Sequence, residues 1–269
     1  MRIHIPEHIT EKEDVIKYVL ENQHEIIALK KMETKIFVKS IDSMPKNAIT
    51  TKAYTTTNKD TDSTIYRTIV GNTYNWMDNH DDAHFKGTFT KSISETDKIF
   101  FYHDHQHMTS AKVGKFDKVY EEEVSWSDYN INKAGTTISL LADAQIKQAY
   151  NPAIFEQYKD GEIDQHSVGM IYVQIQLCAQ TKEDKKAQSS WDKYYPLLGN
   201  QDRADAKGYF FAVTEAKLKE ISCVTQGSNE LTPTRQLEPT KAVTPNIEPL
   251  KDTQTIDFAK LAKVKLYNN

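Results

Sequence analysis

The chain has 269 residues, a formal net charge of −4 and an isoelectric point near 6.2. Such a length buries a core of about 150 to 200 residues with room for extensions, so one principal domain is expected. The near-balanced charge provides no electrostatic argument for nucleic acid or an anionic membrane as partner, and no apolar run approaches the roughly 18 residues that span a bilayer.

The opening "MRIHIPEHIT" lacks the apolar stretch of a signal peptide, and a soluble, non-secreted protein is expected. Thr10 and Glu13 match a capping box. Val15, Val19, Ile26 and Leu29 then recur near helical spacing, which predicts an amphipathic helix over residues 11–30. "TKIFVKSID" (34–42) alternates like a strand, and the Thr-, Asn-, Lys- and Asp-rich stretch after it, to about residue 62, is loop chemistry.

Strand-like runs return at "STIYRTIVGN", are interrupted by "DNHDDAHFKG", and resume with "DKIFFYH", an apolar burst expected in a core strand. "SLLADAQIKQAY" (139–150) and "PAIFEQYKDG" (152–161) read as helices, the second opening at Pro152 and closing at Gly161. After Ser167, Ile171, Val173, Ile175 and Leu177 alternate with polar neighbours and predict a half-buried strand.

Residues 180–207 are charged and non-periodic, an inserted loop before the apolar run "GYFFAVTEAKLKEISCVT". Beyond Gly227, Pro233, Pro239, Pro245 and Pro249 predict an extended tail, exposed over residues 230–254, with at most a short helix near "DFAKLAKVKL". The organisation expected is an N-terminal extension over 1–62, a main domain over 63–229 and a tail over 230–269. Cys178 and Cys223 sit in strand-like segments and suit small reduced core residues.

Three places hold candidate chemistry. In "FFYHDHQH" a continuous strand would project His103, His105 and His107 from one face, giving a metal site, a general base with histidine neighbours, or a solvated polar strand end. In "QHSVGM" Ser167 stands at a strand mouth, either a nucleophile in need of a base or a polar residue where a strand begins. In "LKEISCV" Glu220 lies among Leu218, Ile221 and Val224, and a charge there is costly unless paired or facing water. Alternation sends Leu218, Ser222 and Val224 the same way as Glu220.

The order His, Ser, then an acidic residue in a following strand resembles the Caudovirus prohead serine proteases, which mature tailed-phage capsids. The stretches carrying the resemblance are "NTYNWMDNHDDAHFKGTF" with its Gly87-to-Phe89 step, "IFFYHDHQHMTSAKVGKF", "YKDGEIDQHSVGM" and "AKLKEISCVTQGSN", together spanning about residues 65–229. The resemblance implies a mainly β, α+β fold like that of the herpesvirus assemblins: a small β-barrel with flanking helices over 63–229.

It further implies a serine endopeptidase with Ser167 as nucleophile, Glu220 as the orienting acid and His105 or His107 as the base. The family's spacing to Gly114 selects His107, whereas the apolar pair ahead of the histidine selects His105, preceded by Phe101 and Tyr102. No cofactor or metal is implied. The implied substrates are phage scaffold and major capsid protein segments, together with the enzyme's own ends. The implied place is the assembling prohead in the host cytoplasm, with no nucleic acid or membrane partner and with self-association into a homo-oligomer left open. A catalytically inactive capsid or scaffold component of the same fold, and a metal-dependent hydrolase built on His103, His105 and His107, are the alternative readings.

Overall fold

Period-two burial dominates the computed structural model, which describes residues 3–32, 60–96 and 98–235. Two helices come first, α1 (Lys12–Glu21) and α2 (Gln23–Met32). The single helix expected over 11–30 is thus broken at Asn22, whose side-chain amide donates to the Tyr18 carbonyl and competes with the helical ladder. The capping box does not form: the N-cap is Glu11, with no side-chain cap. Strand 34–42 and the loop after it, up to residue 59, lie outside the described residues.

The strands that follow are β1 (Thr64–Thr73), β2 (Asp82–His84), β3 (Phe100–His103), β4 (Lys112–Ser125), β5 (Thr136–Lys147), β6 (His166–Ala179), β7 (Tyr209–Cys223) and β8 (Thr234–Arg235). They build one eight-stranded sheet in the order β2-β7-β3-β4-β5-β1-β8, with β6 paired to β7. The sheet is not closed by hydrogen bonds into the expected barrel. With its flanking helices the fold is mixed and sheet-rich.

Residues 139–147 form part of β5, which corrects the helix expected from "SLLADAQIKQAY". Its Ala, Leu, Gln and Lys favour helices. The chain nevertheless buries Leu140, Ala142, Ala144 and Ile146 on one face against the main core, while Leu141 on the other face packs with Val124 and Trp126. Burial on both faces overrides propensity. Helix α4 (Pro152–Lys159) forms as its ends predict: the Asn151 side chain accepts from the Ile154 amide, and Gly161 turns out at φ 76°.

The 180–207 segment is no loop. It holds helices α5 (Lys185–Tyr194) and α6 (Gln201–Lys207). Asp184 caps α5, and Ala187, Ser190, Trp191 and Tyr194 are buried at helical spacing. Two of these four are small residues, which hid the period. The expected exposed tail is also corrected where it is described: Leu231, Thr232 and Arg235 are buried, the Pro233 carbonyl accepts from the Val70 amide, and β8 pairs with β1. Pro233 needs no donor for that bond, because its carbonyl is the group used. Residues 236–254 lie outside the described residues.

The Asp-rich "DNHDDAH" reads as an interruption but is built into the fold. Asp82 is wholly buried, takes an ion pair from Lys30 of α2 at 2.7 Å and accepts from the Tyr172 hydroxyl at 2.7 Å. That pair fastens the N-terminal helices to β2 and β6. Cys178 and Cys223 are buried free thiols; burial pushes the Cys223 thiol up to about 12. Among the described residues no helix is long and apolar enough to cross a membrane.

The first residue of β6, His166, faces the core, where its Nε2 meets the Tyr158 hydroxyl at 2.8 Å and its Nδ1 the Thr232 carbonyl at 2.9 Å. The carbonyl can only accept, so Nδ1 carries the proton and Nε2 accepts from Tyr158. Burial lowers the His166 pKa to about 4, against a partial raising by the Thr232 carbonyl. A group depressed on folding binds its proton in the unfolded chain first, so stability present above the unfolded value near 6.5 is lost as pH falls toward 4. His166 is expected to cost about 3 kcal/mol of stability across that window. Urea unfolding at pH 7 and pH 4 measures this, and His166→Gln should shrink the acid loss by a comparable amount; an unchanged loss would show that His166 does not titrate on unfolding.

Candidate active site

The site is set by the pairing of β7. Along its C-terminal half β3 lies parallel on one edge, with Phe100 opposite Glu220 and Tyr102 opposite Ser222. On the other edge β6 lies antiparallel, with Ser167 opposite Ser222 and Gly169 opposite Glu220. Directly paired residues share a face, and so do residues two apart. Phe100, Tyr102, Glu220, Ser222, Ser167 and Gly169 therefore form one patch. The intervening Phe101, Ile221 and Val168 point the other way into the main core.

Beyond His103 the strand stops. The Asp104 amide still bonds to the Cys223 carbonyl at 2.9 Å, and the Gln106 amide closes a turn onto the His103 carbonyl. Asp104 and His105 adopt left-handed backbone conformations, with φ of 49° and 54°. Side-chain-bearing residues rarely sit there, each at a cost of roughly 1–3 kcal/mol, and such strain persists only where surrounding contacts hold it.

This turn overturns the expectation that the three histidines share a strand face. His103 Nδ1 lies 3.2 Å from Asp104 Oδ2, His107 is exposed with its ring against Tyr102, and His105 alone folds back over β7. Among the described residues no group of three His, Cys, Asp or Glu side chains is arranged to hold a metal ion.

His105 Nδ1 meets Glu220 Oε1 at 2.5 Å, with the imidazole 5% and the carboxylate side chain 1% exposed. The second carboxylate oxygen, Oε2, accepts from Ser222 Oγ at 2.6 Å, and Ser222 Oγ in turn accepts from the His105 backbone amide at 3.2 Å. The bonds form a closed ring that grips His105 by its backbone and by its side chain. Both oxygens of this buried carboxylate are thus hydrogen-bonded, as a buried polar group requires. With Nδ1–H donated to Glu220, the tautomer leaves Nε2 as the free base. Burial, with a smaller contribution from the Glu220 charge, raises the Tyr102 hydroxyl pKa beside it.

Glycine at 169 is a steric requirement of this carboxylate. A Cβ there would stand 2.0 Å from Glu220 Oε1 and 2.7 Å from its carboxyl carbon. The oxygen that holds His105 thus lies directly above β6, on the face and strand that carry Ser167. Ser167 is half-buried, and its hydroxyl makes no hydrogen bond to a described residue. His166 cannot act as its base, because it faces the opposite side of the strand. The structure brings His105 and Glu220 into contact, sets Ser167 on the same sheet face with no hydrogen bond to either, and leaves His103 and His107 aside. Reading the residues one by one offered the Gly169 amide only as an oxyanion-hole donor, and did not foresee that Gly169 makes room for Glu220 or that Ser222 bonds to it. The signals were present: a glycine two places after Ser167, and a serine two places after Glu220, each on the face in question.

Comparison of the chain with protein-family models, curated proteins and solved structures finds no match.

Gly169→Ala is expected to displace the Glu220 carboxylate and break its contact with His105. The low-field proton resonance of a carboxylate-bound imidazole Nδ1–H, present in the parent, should disappear in the variant. Its survival unchanged would show that the carboxylate does not need the space above Gly169.

Proposed function

We propose that the chain is a serine endopeptidase of the prohead-maturation kind, with Ser167 as nucleophile, His105 as general base and Glu220 as the group that orients the imidazole. The observation that carries this reading is the buried His105–Glu220 pair, anchored above β6 on the face where Ser167 stands. A buried carboxylate on Nδ1 is an expensive way to hold a histidine, and it is the arrangement that prepares Nε2 to take a proton.

In the proposed reaction His105 Nε2 removes the Ser167 hydroxyl proton as Oγ adds to the scissile carbonyl. The imidazolium so formed is stabilised by Glu220, and it returns the proton to the leaving amine. Water then attacks the acyl-enzyme with His105 again as base, and Ser167 is regenerated. Ser167 makes no hydrogen bond to a described residue, so the proposed proton transfer requires the substrate to bring its hydroxyl and His105 Nε2 together. The strained turn at Asp104–His105 supports the same reading, since such strain collects where a side chain must be aimed.

The four ordered stretches that resemble the prohead proteases extend the proposal to substrates: extended segments of scaffold and major capsid protein, and the enzyme's own ends, cut within the assembling prohead in the host cytoplasm. Backbone-directed docking of an extended chain suits a sheet-rich enzyme. The metal-hydrolase alternative loses its basis in the separate environments of His103, His105 and His107. An inactive capsid component of the same fold is separated from the enzyme by experiment.

A fluorophosphonate, which modifies activated serines without knowledge of the cleavage sequence, should label Ser167 in the wild-type chain. Ser167→Ala should be unlabelled and should not cleave co-expressed capsid or scaffold protein. Glu220→Gln keeps the shape and loses the charge, and it should lower both labelling and cleavage by about 10²–10⁴-fold. Wild-type protein that is folded yet unlabelled at Ser167 would favour the inactive component.

A further inference from the structure

Two of the three bonds in the closed ring pass through the Ser222 hydroxyl. The direction of those bonds is forced. The His105 backbone amide can only donate, so Ser222 Oγ accepts there and its own hydrogen points to Glu220 Oε2. Ser222 is wholly buried, opposite Ser167 and beside Tyr102 in the sheet. No other described group supplies a hydrogen bond to Oε2 of Glu220.

From this we infer that Ser222 is a positioning residue: its single hydroxyl sets the rotation of the Glu220 carboxylate and holds the left-handed backbone at His105, so that the imidazole presents Nε2 toward Ser167. The inference rests on the Ser167–His105–Glu220 reading and extends it. Without the hydroxyl, Oε2 is left buried with no donor, and the carboxylate turns to satisfy both oxygens from the imidazole or from water. The His105 amide loses its acceptor in the same event. A strained turn then relaxes, and the base moves.

Two substitutions at this one position make the role testable apart from simple packing. Ser222→Ala removes the hydroxyl with little change of volume, and Ser222→Thr keeps it on a side chain that strands accept. In chain labelled with ¹⁵N-histidine, with His105 assigned by difference from His105→Gln, the wild type should show the Nδ1-protonated tautomer. Ser222→Ala should show a mixture of tautomers and a fluorophosphonate labelling rate lower by roughly ten- to a hundredfold, the range expected when a base is displaced by about 1 Å. Ser222→Thr should restore the tautomer and bring the rate to within about threefold of wild type.

A folded Ser222→Ala with wild-type tautomer and labelling rate would overturn the inference. So would a folded Ser222→Thr as impaired as Ser222→Ala, because then volume and not the hydroxyl matters. Should Ser222→Ala fail to fold, hydrogen exchange of the wild-type chain decides: the His105 amide should be protected, and exchange at the free-amide rate would show that Ser222 does not hold it. The underlying reading has its own separate outcome. Labelling of Ser167→Ala at the wild-type rate would remove Ser167 from the chemistry while leaving the tautomer result to report on Ser222.

Discussion

A carboxylate with 1% of its side chain exposed must have hydrogen-bond donors at both oxygens, and much of the local structure around Glu220 follows from that demand. One donor is the His105 imidazole and the other is the Ser222 hydroxyl. To deliver the imidazole, the chain leaves β3 through two consecutive left-handed residues, a conformation uncommon for residues with side chains and held here by the bonds around it. To make room for the carboxylate, β6 has no side chain at residue 169. The turn, the glycine and the buried serine are answers to the same electrostatic problem.

The long strand β7 is what allows those answers to meet. Its N-terminal half pairs with β2 and packs near helices α5 and α6, where Phe210 and Ala212 join Trp191, Leu198 and Ala204 in a second core. Its C-terminal half lies between β3 and β6 and forms the site. One face of that half sends Ile221 inward onto Gly71, which has no Cβ to oppose it, while the other holds Glu220 and Ser222. Construction and chemistry are thus separated along one strand and between its two faces. Parallel pairing with β3 brings the end of β3 to the end of β7, so the turn after His103 falls over the site.

Three histidines spaced two apart in sequence end in three different environments. Only the middle one enters a buried contact, through Nδ1 to Glu220. The segment after β7 also serves the site indirectly: Thr232 and Asn229 bond back to His166 and to β1, which holds the mouth of β6 in place beside Ser167. The packing thus reaches from the first strand of the sheet to the residue proposed to carry out the attack.

Much of this was legible in the chain itself, wherever a local period or a local cap is decisive. Ile171, Val173, Ile175 and Leu177 announce β6 by simple alternation, and Asn151, Pro152 and Gly161 mark both ends of α4. The shared face of Glu220 and Ser222 also follows from alternation, whereas the partnership of a histidine near 105 with Glu220 was implied only by the family resemblance. What stayed hidden depends on contacts distant in sequence. Residues 139–147 carry helix formers, and only burial on both faces of a sheet makes them β5. The α5 period is written in Ala187 and Ser190 as much as in Trp191, and small residues show a buried face only when something packs on it. His105 and His107 are equivalent under alternation in a strand. The choice between them was made by a turn whose strain is sustained by Ser222 and Glu220, more than a hundred residues away along the chain. Sequence determined which residues could do chemistry; tertiary structure decided which of them meet, because a buried charge accepts only the partners that the fold can bring within hydrogen-bond distance.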